Sequence, residues 1–265
     1  MTSKDGTSIA FEQSGNGPAI ILVASSLADR SDTKRLAALL APHFTVINYD
    51  RRGRGRSGDT LPYHVQREVE DIAALLDEAG GSAFLFGSSS GAVLALEAAA
   101  SGLNITKLAL YEPPFRVDHN GPLPPKDLAE DITRLIADHR RGQAVRLFMT
   151  QAIGVPSAVV AIMRVMPGAW SKLESMAHTA TYDIAIMGDT QLGNPLPPDR
   201  WAGVNAPTLV IDGGKSSIAQ RQAVEALVDV LPNAQRRTLP GQRHAAPVMA
   251  PKKLAPTLIE FLAVE

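Results

Sequence analysis

Three consecutive serines, 88 to 90, lie between Gly87 and Gly91 in the stretch AFLFGSSSGAVLALEAAA. A serine hydroxyl attacks a carbonyl only if a base removes its proton and donors hold the developing oxyanion. The setting suits that chemistry, because an apolar run enters and an alanine-rich run leaves, which reads as strand, tight turn, helix. The middle residue of such a turn is held in a strained backbone conformation. Glycines two before and two after it let neighbouring backbone pass without Cβ clashes. This lifts the side chain of Ser89 above the sheet and aims the next backbone N–H, that of Ser90, at the same spot. Ser90 is expected to supply its N–H rather than its hydroxyl, and Ser88 to be a neighbour. Without those flanking elements the run would be a polar helix cap.

A general base must come from elsewhere in the chain. The six histidines are 43, 64, 119, 139, 178 and 244. Strands are predicted at 19–24, 44–49, 82–87, 107–112, 206–214 and 234–239, and helices at 33–41, 65–80, 92–100, 219–231 and 248–263. The alternation implies an α/β fold, a mostly parallel sheet with helices on both faces. The strands up to the first proline-rich loop are continuous apolar runs, as a sheet covered on both sides requires. Between the proline-rich loops PPFRVDHNGPLPP and NPLPPDRW everything looks helical. The expected division is a core of 1–115 and 196–265 with a helical cap at 116–195. Only His244 follows the last strand and precedes the last helix; His119, beside the first proline loop, is the runner-up.

Bulk composition narrows the classes. The chain has 265 residues, 45% of them hydrophobic, with a net charge of -1 and no cysteine. That excludes disulfides, thiolate metal sites and a cysteine nucleophile, and favours a reducing compartment. The near-zero charge gives no steering toward nucleic acid or an anionic membrane. No apolar run reaches the roughly 18 residues of a membrane span. The opening MTSKDGTSIAF lacks a secretory apolar stretch, so a cytoplasmic location is expected. No H-x-x-x-H spacing occurs, and neither a metal nor an organic cofactor is expected.

The strand–GSSSG–helix unit resembles the nucleophile elbow of the α/β-hydrolase superfamily. NYDRRGRGRSG (48–58) is similar to a loop these proteins carry earlier in the fold, and the histidine position fits. The resemblance implies Ser89 as nucleophile and His244 as base. Many members carry the acid in a G-x-x-D turn after the penultimate strand. Here that turn reads DGGKSS, and Ser216 stands where the aspartate would be. Two carboxylates are candidates. Glu112 closes the strand after the elbow helix, as the acid does in some haloalkane dehalogenases. Asp212 is the alternative, although it should point into the sheet. Oxyanion donors are expected from Ser90 and, by register in the loop after the first long strand, from Ser26, with Ser25 next. The relatives' His-Gly is replaced there by Ala24-Ser25-Ser26-Leu27.

Five of the seven methionines (149, 163, 166, 176 and 187) fall in the expected cap. They read as packing between cap helices or as an adaptable apolar wall. The expected pocket takes Ser25, Leu27, Phe115, Phe148, Met163, Trp170 and Tyr182, and suits a small apolar substrate. The leading reading is a serine hydrolase cleaving a carboxylic ester or related acyl compound through an acyl-enzyme. Perhydrolase, lyase or C–C hydrolase chemistry uses similar constellations. A non-hydrolytic, receptor-like binding protein is a second class, favoured by the altered acid turn and oxyanion loop. A phosphate-binding turn built on arginines 51, 52, 54 and 56 is a third, although no phosphate-loop motif is present.

Overall fold

The computed structural model describes residues 1–166 and 168–263. Seven strands form one sheet: β1 (Phe11–Ser14), β2 (Ala19–Val23), β3 (Thr45–Tyr49), β4 (Ala83–Ser88), β5 (Ile105–Tyr111), β6 (Thr208–Gly213) and β7 (Ala234–Leu239). Their spatial order is β1-β3-β2-β4-β5-β6-β7. Only β1 runs antiparallel, against β3. This strand lay outside the sequence reading. Its residues, FEQS, are mostly exposed, so main-chain pairing to β3 holds it rather than a buried face.

The apolar runs follow from covering both faces. In β2, Ile21 and Val23 enter one hydrophobic cluster while Ile20 and Leu22 enter the other. Alternate side chains of a strand point to opposite faces, so a strand covered on both must be apolar throughout. On the first face lie α2 (Val65–Glu78) and α3 (Ser90–Ala100), and on the second α1 (Arg30–Leu40). Helix α1 starts on a capping box, in which Asp29 accepts from the Ser31 N–H at 2.8 Å and Asp32 reaches back to the Asp29 N–H. Helix α3 is buried from Ser90 to Leu96, and its alanines let it pack closely against β4, β5 and α2.

Between β5 and β6 the described residues form no strand. The chain makes α4 (Leu128–Ala137), α5 (Arg141–Gln151), α6 (Ser157–Arg164), α7 (Ala169–Ser175) and α8 (Ala180–Met187). These helices bury a hydrophobic cluster of their own, including Ile132, Val145, Phe148 and Ala177, which Leu27 joins from the loop after β2. The chain then returns through Trp201, which is fully buried and stacks on Phe115. After β6 come α9 (Ile218–Val230), and after β7 the short α10 (Ala246–Met249) and α11 (Pro251–Ala263). No described helix is long and apolar enough to cross a membrane.

Candidate active site

Ser89 sits between β4 and α3 with φ 54° and ψ -125°. Few L-residues adopt this conformation, and the surroundings hold it in place. The Ser89 N–H donates to the Tyr111 carbonyl at 2.9 Å. A Cβ on Gly87 would lie 2.3 Å from the Gly91 oxygen, and one on Gly91 would lie 2.4 Å from the carbonyl oxygens of Val23 and Ala24. Both glycines are therefore required by backbone approach, and the elbow could not close around larger residues.

His244 lies between β7 and α10, its side chain 30% exposed. Its Nε2 is 3.1 Å from Ser89 Oγ and its Nδ1 is 2.8 Å from Glu112 Oε2. The loop that carries it is tied down: the Tyr111 hydroxyl donates to the Arg243 carbonyl at 2.8 Å, and the Lys215 N–H donates to the Gln242 carbonyl at 2.8 Å. Glu112 is fully buried just after β5, in the left-handed region with φ 43°. Its second oxygen, Oε1, accepts from the Gly213 N–H at 2.7 Å. The carboxylate is thus held at both oxygens, one on backbone and one on the imidazole. Asp212, the alternative acid, is not in this cluster. Its carboxylate accepts from Arg236 Nε at 3.0 Å and from the Thr238 hydroxyl at 2.8 Å. Ser216 is buried with its hydroxyl unpartnered, beside Gly213.

Ser90 is the first residue of α3, so its N–H has no acceptor within the helix. Its hydroxyl has a partner of its own, which the sequence reading did not foresee. It donates to Asp183 Oδ1 at 2.8 Å and lies 3.3 Å from Ser26 Oγ. Asp183, on α8, is the centre of a buried charge network. Arg51 Nη1 reaches it at 3.0 Å, and Arg54 Nη2 is 2.9 Å from each of its oxygens. Arg51 also forms a bidentate pair with Glu68, at 2.7 and 2.8 Å. The same two guanidiniums hold the loop after β2. Arg54 donates to the Ser25 carbonyl at 2.7 Å, and Arg51 lies 3.4 Å from the Ala24 carbonyl. The Ser26 N–H that follows has no partner among the described residues.

The phosphate-binding alternative does not survive this arrangement. Arg52 is committed as well, to Asp71 at 2.8 Å and Asp5 at 2.9 Å. Arg51, Arg52 and Arg54 are fully buried counter-ions, and only Arg56 of the four is exposed. Burial pushes the Asp183 carboxyl up, but Arg54 and Arg51 outweigh it and hold the group below its ordinary range. Removing one member of such a network strands the others in a dry interior. Asp183→Ala is expected to lower unfolding stability by about 3–5 kcal/mol, read from denaturant titration.

Ser89 and His244 open onto a cavity lined by the apolar side chains of Phe148, Ala152, Ile153 and Met187. Ser26, Pro114, Arg116, Gln191 and Gln220 complete its lining. Of the pocket residues expected from sequence, Phe148 alone lines it. Phe115 turns into the sheet-side core against Trp201, while its neighbours Pro114 and Arg116 take the wall. Leu27 and Trp170 belong to the core of the inserted helices, Met163 packs against that core, and Trp170 Nε1 donates to Glu174 at 2.9 Å. Tyr182 stacks on Tyr63 with ring centroids 3.8 Å apart and donates to Asp59 at 2.7 Å. Ser25 contributes its carbonyl to Arg54. Aromatic and methionine content cannot distinguish a cavity wall from a helix interface. The expectation of an apolar pocket also omitted Arg116, whose position four residues beyond Glu112, on the loop leaving a strand's carboxyl end, was the available signal.

The sheet order, the inserted helices and a Ser–His–Glu cluster at the carboxyl ends of three strands define an α/β-hydrolase architecture. A profile of the alpha/beta hydrolase family matches residues 17–257, and the chain belongs to that family of hydrolytic enzymes. A solved alpha/beta hydrolase from Sphaerobacter thermophilus is 51% identical and superposes with a TM-score of 0.92 over 99% of both chains. A pimeloyl-[acyl-carrier protein] methyl ester esterase of Xanthomonas campestris pv. campestris is 25% identical over 253 residues, 94% of this chain and 96% of that one. The uncharacterized hydrolase YraK of Bacillus subtilis is 38% identical over 96 residues, and that match spans 35% of either chain.

Proposed function

We propose that this chain is a serine esterase that cleaves a carboxylic ester through an acyl-enzyme. The observation that carries the reading is the unbroken line from Ser89 Oγ through the His244 ring to Glu112, at 3.1 and 2.8 Å. Ser89 Oγ bonds to the ester carbon while its proton passes to His244 Nε2, and the carbonyl electron pair moves onto oxygen. The backbone N–H groups of Ser90 and Ser26 receive that oxyanion. Collapse breaks the bond to the alcohol oxygen, which takes the proton from His244. Water, deprotonated by the same imidazole, then attacks the acyl-enzyme, and Ser89 regains a proton as the carboxylic acid leaves. Glu112 holds the imidazole tautomer and stabilises the imidazolium.

The helices of 116–195 serve as a cap over this site. Phe148, Ile153 and Met187 from that segment reach the cavity, and Asp183 ties it to the elbow and to the oxyanion loop. The ester chemistry named for the Xanthomonas relative, which aligns along nearly its whole length, supports the reaction class. A fluorophosphonate probe tests the reading. Wild-type protein is expected to gain one covalent label on Ser89, found by peptide mass spectrometry and absent in Ser89→Ala. An unlabelled wild type, with no turnover of aryl esters of any chain length, would instead mark a binding protein that keeps the pocket.

A further inference from the structure

The cavity lining carries a cation that nothing in the fold uses. Arg116 is half-buried, and its side chain makes no hydrogen bond or ion pair among the described residues. Every other described arginine is either solvent-exposed or paired with a carboxylate, a carbonyl or both. Taking a guanidinium out of water without a counter-charge is costly, so such a group marks a place where an anion arrives. Burial pushes its pKa below the ordinary arginine value, with no carboxylate to offset the shift. It nevertheless stays protonated in water near neutrality.

Its placement is not accidental to a loose loop. The Arg116 N–H donates to the Thr190 carbonyl at 2.8 Å, and its carbonyl accepts from the Gly193 N–H at 3.0 Å. The stem is therefore anchored on both sides to the segment that closes the inserted helices. Gln220, which also lines the cavity, adds a second donor. Its Oε1 is occupied by the Ser217 N–H at 3.0 Å and the Ser217 hydroxyl at 2.9 Å, as the capping box of α9. The amide Nε2 is left without a partner among the described residues. No aspartate or glutamate lines the cavity, and Arg116 is its one permanently charged lining residue.

We propose that the substrate carries a carboxylate, bound by Arg116 in the cavity that Gln220 also lines, so that the enzyme prefers half-esters of dicarboxylic acids or esters of carboxylate-bearing alcohols to neutral esters. This deepens the esterase reading of the same site and rests on it for the bond that is cleaved. A planar guanidinium matches a carboxylate with two parallel hydrogen bonds, which gives orientation as well as attraction. Held at Arg116, the anionic end would leave the ester carbonyl to find the hydroxyl of Ser89 with fewer wrong poses.

The test compares kcat/KM for matched esters. For an acyl-side anion the pair is 4-nitrophenyl hydrogen glutarate against 4-nitrophenyl pentanoate. For an alcohol-side anion it is 4-butanoyloxybenzoate against phenyl butanoate. Wild type is expected to favour the anionic member of one pair. In Arg116→Gln that anionic-to-neutral ratio should fall about 10- to 100-fold, mainly through KM, with Arg116→Lys recovering part of it. Glutarate should bind wild type by calorimetry and fail to bind Arg116→Gln. The proposal is overturned if wild type shows no anionic preference in either pair and glutarate does not bind. It is also overturned if both effects survive Arg116→Gln. Turnover of neutral esters alone would leave the esterase reading standing while sinking this one. Arg116-dependent glutarate binding with no ester turnover would do the reverse.

Discussion

Ser89→Ala is expected to abolish ester turnover, with kcat falling on the order of 10⁶-fold for a serine nucleophile acting as a unit with its base. In the proposed mechanism the hydroxyl oxygen forms the covalent bond to the acyl carbon, and no other side chain in the cavity offers a substitute. Ser26 and Ser90 carry hydroxyls nearby, but the Ser90 hydroxyl is engaged by Asp183, and neither makes a hydrogen bond to His244 among the described residues. The fold should persist, because the elbow is set by Gly87, Gly91 and the N–H bond to Tyr111 rather than by Oγ. His244→Ala should cost about as much, and the double variant little more, since removing one member disables the unit. Hydrolysis of an aryl ester under saturating substrate measures all three. Losses that simply multiplied in the double variant would mean that serine and histidine act separately.

The second large effect concerns the acid. Glu112→Gln is expected to reduce kcat by on the order of 10⁴. The amide can still accept from the Gly213 N–H, so the strand end should hold, but it cannot favour the imidazole tautomer that accepts the serine proton. The control is Asp212→Asn. That carboxylate is paired with Arg236 and Thr238 on the last strand, so its loss should appear as lowered stability while turnover persists. If Asp212→Asn produced the large kinetic loss and Glu112→Gln did not, the assignment of the acid would reverse.

The departure at Ser216 has a plain geometric counterpart. In β5 the strand end bends into the left-handed region at Glu112, bringing that carboxylate against both the Gly213 N–H and the histidine. The position after β6 carries no acid, and Ser216 there is a buried hydroxyl. A single sequence could offer both Glu112 and Asp212 as candidates, because both stand at strand ends. What separated them is side-chain direction. Asp212 faces the β7 arginine, and Glu112 faces the site.

Much of the fold was legible along the chain. Five of the seven strands are apolar runs that both faces of a covered sheet demand, and β7, the polar run AQRRTL, was placed by its position between two helical patterns. The elbow at Ser89 and the loop bearing His244 could be located for the same reason: turn chemistry and strand–helix order are encoded within a few residues. β1 escaped because pairing, not its own side chains, makes it a strand. Tertiary structure alone decided which partner each arginine took and which residues became cavity wall. Arg51 and Asp183 are 132 positions apart, and their contact depends on how the inserted helices settle over the sheet. Local preference cannot encode such a choice, since a buried arginine and a phosphate-binding one have the same sequence neighbours. Only the three-dimensional placement of partners tells them apart, and it leaves Arg116 half-buried with neither a counter-charge nor a hydrogen-bond acceptor for its side chain among the described residues.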